Sequence, residues 1–435
     1  MNRKTRRELR KDKDLVKELY SIIEKYLPDL YKKFDNLTDI RNQSYVTYKM
    51  KTICITRLWG LLCGLTTMTD ISSDNFNTEH CINALSKMCK QNLSELPYWE
   101  TIQDVFINIS IDELRDIQKY IVKALIRSKM FDKYKYDGAF QLLFDGTGLS
   151  NHDYNLNDNC LVRKHKDGKI SYYKYVLECK LVTGNIVISL DSEFIENEKI
   201  LSDKQKQDCE TNAFKRMVKR IKKNYPKYKF IITGDGLYAT TPIINICKKY
   251  KWNYIFNFKP DKLKEINESF EGNIKLHNET CEKNYFLSKG IEFKNNLLNV
   301  IKYIDIVKNK SSNGIKKNIF RYITDLLTND SNIASIVKLG RNRWKIENEG
   351  FYNQKHRTFN IRHLNSRNNN AMKVHYFFIQ FAHAIRQLLE QGNIITKMLG
   401  LKQKEVSRFL LDTLTSVSNP NLIEVNINFQ LRFDT

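Results

Sequence analysis

The stretch AFQLLFDGTGL, at residues 139–149, marks a change of pattern in the middle of the chain. Its apolar residues favour a buried β-strand, and Asp145-Gly146 predicts that the strand ends there and that a loop follows. The stretch KFIITGDGLYA, at residues 229–239, repeats this pattern with Asp235-Gly236. A carboxylate at the carboxyl end of a buried strand lies at the sheet edge where α/β folds collect their ligands. Two such carboxylates can hold Mg²⁺, although each Asp-Gly can equally be no more than the start of a turn.

The segments around these two strands alternate between strand and helix patterns. Residues 171–195 predict two strands joined as a hairpin at Thr183-Gly184-Asn185. A basic, helix-like segment follows at residues 204–223, and its cations either contact phosphate or form a solvated face. Thr241-Pro242 predicts the start of a short helix, and residues 252–260 predict another strand. This mixed order favours an α/β fold with a central sheet flanked by helices.

The rest of the chain divides by the period of its apolar residues. Spacings of three and four predict helices in residues 14–132, whereas alternation predicts a β-rich insertion after residue 260. Residues 331–356 predict one long helix, and residues 371–390 predict a second, aromatic-rich one. We therefore expect an N-terminal helical domain (1–132), the first part of the α/β core (137–260), the β-rich insertion (261–331), the remainder of the core with its acidic helix (332–392) and a C-terminal tail (393–435).

The acidic helix carries the third group of candidate residues, in the stretch RWKIENEGF at residues 343–351. Arg343, Glu347 and Phe351, followed by Lys355, fall on one face of a helix. An acid, a base and an aromatic ring on one face could complete a metal site and hold a phosphate, or form a surface ion pair above core aromatics. Glu349 competes with Glu347, but a rotation of about 200° separates the two, so both cannot face one site.

The charge of the chain points to a polyanionic partner. Its 435 residues include 72 Lys and Arg against 49 acids, which gives a formal net charge of +23. Such an excess is typical of proteins that bind DNA or RNA, although an A/T-rich genome also enriches lysine. Basic residues cluster at positions 3–13, as either a DNA-contacting arm or a solvated helix start. Glu178, Glu193 and Glu210 are further acids that could fall near the sheet edge.

Cysteine usage and hydropathy exclude other classes of protein. The nine cysteines are scattered, without a C-x-x-C pair, which argues against a disulfide framework and against a zinc ribbon. The longest apolar stretch, near residues 58–65, is too short to span a membrane, and the charged N-terminus does not resemble a signal peptide. We expect a soluble, cytoplasmic protein.

Taken together, the strand-ending Asp145 and Asp235 and the motif R-W-x-I-E at residues 343–347 resemble the DDE transposases of bacterial insertion sequences. The resemblance is to the branch with a Y-x2-R-x3-E-x6-K signature. Arg343 and Glu347 fit R-x3-E, and Lys355 lies one residue beyond the expected lysine.

Two positions of the signature differ in this chain. Gln354 stands at the lysine position and Gly340 at the tyrosine position. The two departures affect the DNA contacts that the signature predicts more than they affect the carboxylates that it predicts as metal ligands.

The resemblance implies a ribonuclease-H-like core that is interrupted by the β-rich insertion. It implies that Asp145, Asp235 and Glu347 are the catalytic residues and the ligands of two Mg²⁺ ions, with Mn²⁺ able to substitute. Arg343 and Lys355 are then expected to bind the phosphates of the DNA backbone.

The implied activity is DNA transposition: cleavage at terminal inverted repeats and strand transfer into target DNA. A homodimer in a synaptic complex, working at the bacterial nucleoid, is the expected assembly, and the helical domain would bind DNA ends or dimerise. Two alternatives stay open. One is a nuclease of the same fold that does not transfer strands, and the other is a domesticated DNA-binding protein without catalytic activity.

Overall fold

The computed structural model describes residues 14–197, 206–279, 282–308, 315–392, 401–416 and 427–433. The basic cluster at positions 3–13 lies outside the described residues. The helices expected in residues 14–132 form a layer on one side of the molecule. They are α1 (Leu15–Tyr26), α2 (Leu30–Asp35), α3 (Met50–Leu62), α4 (Met68–Ile71), α5 (Glu79–Cys89), α6 (Trp99–Phe106) and α7 (Ile111–Arg127).

Helix α1 shows why this region is helical. Asp14 precedes it, and its side chain accepts a hydrogen bond from the Lys17 amide at 2.9 Å, which satisfies one of the free donors at the helix start. Leu15, Leu19 and Ile22 recur at helical spacing and are buried. The helix therefore turns one apolar face toward the core.

The central feature is one mixed sheet. Its strands are β1 (Phe140–His152), β2 (Leu161–Lys164), β3 (Ile170–Thr183), β4 (Ile186–Ile195), β5 (Phe230–Gly234), β6 (Asn253–Asn257), β7 (Lys275–Glu279), β8 (Lys283–Phe293), β9 (Asn296–Lys308) and β10 (Ile315–Thr324). The strand order is β2-β3-β1-β5-β6-β10-β9-β8-β7, with β4 paired to β3. Within the sheet, β1, β5 and β6 are parallel neighbours, so their carboxyl ends share one edge and their amino ends share the other. This mixed sheet, flanked by helices, confirms the expected α/β fold.

The prediction that the first strand ends at Asp145 was wrong. Pairing between β1 and β5 stops at Leu143, but antiparallel pairing between β1 and β3 continues as far as His152. Asp145 therefore lies inside a strand, opposite Glu178 on β3. Pairing with β3, which the local sequence of β1 does not reveal, keeps β1 extended beyond the parallel part of the sheet.

The insertion between the second and third candidate acids continues the central sheet. After α10 (Lys264–Gly272) it supplies β7 to β10 as an antiparallel series. Its last strand pairs with β6, with Tyr322 opposite Asn257. This pairing brings one face of the insertion beside the carboxyl edge of the parallel strands.

The expected single helix at residues 331–356 is also wrong, because the structure breaks it. Helix α11 (Ile333–Arg341) ends, a π-helical segment runs over Ile346–Tyr352, and α12 (Asn353–His356) follows. The Gln141 side chain on β1 donates to the Leu339 carbonyl at 2.7 Å and accepts from the Asn342 side chain at 2.9 Å. These contacts hold the end of α11, where turn residues 342 and 343 separate it from the acid-bearing segment.

The remaining helices close the core. Two of them, α8 (Glu210–Asn224) and α9 (Thr241–Tyr250), connect the parallel strands, and α13 (Asn369–Gln391) lies between the sheet and the helical layer. In α13, Phe378 stacks on Phe34 of α2 with 5.6 Å between ring centres, and Tyr376 meets Phe194 of β4 at 5.4 Å. The described part of the tail contains α14 (Gln403–Ser416). Among the described residues, no helix has the length and apolar character that crossing a membrane requires.

Candidate active site

Asp145 and Asp235 occupy equivalent positions along two neighbouring parallel strands. Asp145 lies within β1, and Asp235 follows the last residue of β5. The last pair between β1 and β5 joins Leu143 to Thr233, and each Asp lies two residues beyond its member of that pair. Asp235 directly follows the end of β5, and its side chain accepts a hydrogen bond from the Leu237 amide at 2.8 Å. The two carboxylates line one open cleft of about 350 Å³ at the carboxyl edge of the sheet.

Glu347 reaches the same cleft from the π-helical segment, together with Arg343. The guanidinium Nη1 of Arg343 donates to Glu347 Oε1 at 2.7 Å and lies 3.7 Å from Asp145 Oδ2. A positive group thus sits between two of the three carboxylates. Glu349 instead lies beside Lys345, and its carbonyl accepts from the Asn353 side chain at 3.1 Å.

The cleft disfavours the ionised form of the Asp145 carboxyl. Burial raises the pKa of the Asp145 carboxyl to about 7, while the charge of Arg343 opposes the shift. The negative charges of Glu210, Glu347 and Asp235 raise this pKa further. Such crowding of acids is typical of sites that bind cations, because a cation relieves the repulsion.

Glu210 is a fourth acid at this edge of the sheet. It is the first residue of α8, and the Tyr238 hydroxyl donates to its Oε1 at 2.6 Å. Its Oε2 lies so close to the backbone that a Cβ on Gly146 would be 2.6 Å from it and 2.5 Å from the Tyr175 ring. The glycine after Asp145 is therefore needed to let Glu210 and Tyr175 approach the strand.

The other two acids that the sequence singled out lie elsewhere. Glu178 is fully buried and pairs with Lys180 at 3.2 Å, and Glu193 pairs with Arg216 and Arg220 of α8 at 2.5 and 2.6 Å. These arginines are already paired with acids of the protein, which makes their guanidinium groups less available to phosphate.

A buried polar network supports the acid-bearing segment from behind. The Lys180 ammonium also donates to the Gln380 side chain at 2.9 Å, and Gln354 of α12 donates to the same oxygen at 2.8 Å. A Cβ on Gly350 would lie 3.2 Å from Lys180 Cε, so the segment packs closely on β3. The ion pair of Lys180 with Glu178 therefore fixes where the segment rests on the sheet.

Lys355 does not line the cleft, whereas Arg343 does. Its ammonium is 5.7 Å from the centre of the Phe351 ring. Burial lowers the pKa of Lys355, the nearby Arg362 lowers it further, and the charge of Asp145 opposes both. Lys355 thus remains within electrostatic range of the site.

The opposite wall of the cleft comes from residues that the sequence did not single out. Phe258 and Lys259 follow β6, and Phe320 and Arg321 belong to β10 of the insertion. They meet because β10 pairs beside β6, and the Phe258 amide donates to the Arg321 carbonyl at 3.2 Å. No local motif marks these residues, since their position depends on sheet order.

The donors around the cleft suit a hard divalent cation. Mg²⁺ prefers oxygen ligands and is commonly held by one or two carboxylates, with water or phosphate completing its shell. The described residues contain no group of three or more acidic, histidine or cysteine side chains already close enough to hold a metal ion. The Arg343 guanidinium lies between the Asp145 and Glu347 carboxylates, in the place that a metal cation would take.

Comparison with known proteins agrees with this geometry. No curated protein is similar enough to the chain to count as a match. A family model described as a transposase DDE domain matches residues 142–385, which is more than half of the chain. The matched region begins just before Asp145 and contains Asp235, Glu210 and Glu347, so it includes every acid of the cleft. The chain therefore belongs to the family of transposases with a DDE domain.

Proposed function

We propose that this protein cuts DNA at the ends of a mobile element and joins the cut ends to target DNA. The observation that carries the proposal is the level placement of Asp145 and Asp235 on adjacent parallel strands, facing Glu347 across one cleft. These three residues are the proposed catalytic acids. The partners are terminal inverted repeats and target DNA, and two ends call for two subunits, so we propose a homodimer acting at the bacterial nucleoid.

The three acids would hold two Mg²⁺ ions, with Mn²⁺ able to replace them. Bound there, such ions would supply Lewis-acid activation of water or of a DNA 3′-OH and would balance the charge of the leaving oxygen. For this, Asp145 must give up the proton that its raised pKa favours, so cation binding should release protons. Divalent cations are thus expected to bind more tightly as the pH rises through neutrality.

Arg343 has two successive roles in the proposal. Before DNA binds, it neutralises Asp145 and Glu347. With a cation bound to these acids, the Arg343 guanidinium would be free to contact a backbone phosphate, for which its fork of donors is well suited. Lys355, and Lys259 and Arg321 on the opposite wall, would hold further phosphates of the same strand.

We also propose that the chain belongs to the Y-x2-R-x3-E-x6-K branch. The glycine at position 340, where the signature has tyrosine, has a structural reason. A Cβ on Gly340 would lie 2.5 Å from the Tyr322 ring of β10. Because that ring fills the space, no larger side chain fits at this position, whereas the R-x3-E part of the signature is intact.

The direct test is cleavage of duplex DNA that carries the element's own ends, by the full chain, with Mg²⁺ or Mn²⁺. Asp145→Asn and Asp235→Asn should each lower the cleavage rate by about 10³-fold or more, because each removes a charged ligand. Asp74→Asn, at an exposed acid of the helical layer, is the matched control and should cleave normally. Undiminished cleavage by Asp145→Asn would refute the assignment.

A second measurement separates transposition from simple nuclease activity. Precut DNA ends with free 3′-OH groups are mixed with a supercoiled target plasmid, and joined products are counted. Joining supports the proposal. Hydrolysis without joining would instead establish the nuclease alternative, and the absence of both activities from a protein that still binds DNA would favour the domesticated one.

A further inference from the structure

The edge of the sheet opposite the acids holds a larger groove, of about 630 Å³. It lies where β1, β5 and β6 begin, and its walls come from the segments that lead into these parallel strands. Five lysines line it: Lys222, Lys227, Lys229, Lys249 and Lys251. We call this feature the lysine groove.

The charge in the lysine groove is strongly positive. Lys227, Lys229, Lys249 and Lys251 are exposed, and Asp137 is the acid among its described lining residues. The arginines of α8, by contrast, are held in ion pairs with acids of the protein. The lysines come together because two connections of the fold, from α8 into β5 and from α9 into β6, end at the same edge of the sheet.

Aromatic rings lie between the lysines. Tyr228 and Tyr250 line the lysine groove together with Tyr136. The Lys222 ammonium donates to the Tyr250 carbonyl at 3.4 Å, which ties the end of α8 to the end of α9. Ammonium groups and tyrosine hydroxyls are among the side-chain groups that contact nucleic-acid phosphates, and such contacts do not depend on the base sequence.

The lysine groove is separate from the acid cleft. Lys229 precedes β5 and Asp235 follows it, and six extended residues span roughly 20 Å. Duplex DNA is stiff over tens of base pairs, with a persistence length of about 150 base pairs. A duplex lying across the carboxyl edge therefore cannot bend around the sheet to fill the lysine groove.

We propose that the lysine groove binds the phosphate backbone of a second stretch of duplex DNA, distinct from the stretch at the acids. The choice of DNA as the polyanion rests on the proposed function. Transposition handles more than one stretch of DNA at once, and a sequence-independent surface suits a stretch that is not cut by the same subunit.

Lysine footprinting on the full chain tests the location. The protein is treated with an amine-acetylating reagent, with and without a saturating duplex of unrelated sequence, and acetylation is read by mass spectrometry. Lys227, Lys229 and Lys249 should be protected severalfold, whereas Lys32, Lys402 and Lys404, exposed on the helical side and the tail, should not. Unchanged acetylation in the groove, or protection by duplex RNA but not by DNA, would overturn the proposal.

Salt dependence tests the energetics. Replacing Lys227, Lys229 and Lys249 together by Gln should reduce the slope of log binding constant against log salt by about 2 to 3, since each lost phosphate contact contributes about 0.9. Replacement of the same residues by Arg preserves charge and should keep the slope. The matched control replaces Lys32, Lys402 and Lys404 by Gln. An equal loss in that control would contradict a local site.

The two proposals can fail separately. If the wild-type chain does not cleave or join DNA but protects the groove lysines, the proposed function falls and the second site stands. If it cleaves and joins normally while groove acetylation and salt slope stay unchanged by DNA and by the Gln substitutions, the second site falls alone.

Discussion

The two edges of the same parallel strands are built in opposite ways. At the carboxyl edge, Asp145 and Asp235 are crowded by Glu210 and Glu347, and an arginine lies between two of them. At the amino edge, exposed lysines line an open groove. Partly buried charges interact strongly and are little screened by salt, whereas exposed charges are screened within about 10 Å. Activity at the carboxyl edge should therefore depend on single residues, whereas binding at the amino edge should depend on the summed charge of many residues.

The largest expected effect tests whether one acid of the third segment is decisive. Glu347→Gln should lower metal-dependent DNA cleavage by about 10³-fold or more, because it removes a ligand and frees Arg343 to pair with Asp145. Glu349→Gln is the matched control, two residues away and beside Lys345, and should change the rate by less than about tenfold. A reversed order of the two rates would transfer the catalytic role to Glu349.

A smaller effect should follow from filling the space beside Asp145. Gly146→Ala places a methyl group against Glu210 and Tyr175, so these side chains must move and the acids lose their arrangement. We expect cleavage to fall by about 10- to 100-fold, with weaker Mn²⁺ binding measured by calorimetry.

Gly148→Ala is the control for this substitution. Its Cβ would meet the Tyr175 ring at 3.9 Å, an ordinary contact, so its cleavage rate and Mn²⁺ affinity should stay within a few-fold of wild type. If the two alanine variants behave alike, close packing around Gly146 has no part in the site.

The smallest effect concerns Asp325, a partly buried acid near the amino edge. Asp325 accepts hydrogen bonds from the Tyr254 amide at 2.9 Å and from the Asn253 side chain at 3.2 Å. Burial raises the pKa of Asp325 from 3.8 to about 6. The folded state thus holds this proton more tightly than the unfolded state, so stability is lost as the pH rises from about 4 to about 6.

Asp325→Asn should abolish that loss. The free energy of unfolding of the variant relative to wild type should rise by at most about 3 kcal/mol between pH 4 and pH 7, as measured by urea denaturation. Cleavage should be nearly unchanged, because Asp325 contacts Asn253 and the Tyr254 amide and does not line the acid cleft. A constant difference between the two proteins across this range would show that the carboxyl titrates normally.

Local signals were sufficient where neighbours in the sequence are neighbours in space. The hairpin turn at Gly184, the strand ending before Asp235 and the helix opening at Thr241-Pro242 are where the sequence predicts them. Gly184 adopts φ of 63°, a conformation that glycine reaches without strain. The fold class follows from such features, and the transposase family follows from the resemblance of the motifs around Asp145, Asp235 and Glu347.

Other features escaped prediction because they depend on distant pairings. Strand β1 runs past Asp145 because it pairs with β3. The helix expected at residues 331–356 breaks near Leu339, whose carbonyl accepts a hydrogen bond from the Gln141 side chain. The sequence leaves Glu210 as one of three acids that could lie near the sheet edge. Its position beside Asp145 follows from its close packing on Gly146 and from its hydrogen bond with Tyr238.

The sequence alone thus determined the type of sheet, the family and the acids to consider, because strand periods, turn residues and motif spacing are properties of short segments. Tertiary structure decided which groups meet. It brought Arg321 of the insertion to the cleft, set Arg343 between two carboxylates, and gathered lysines from separate connections at the opposite edge. The physical reason is that electrostatic and packing energies depend on distance in space, which sheet order and strand register fix and local sequence does not.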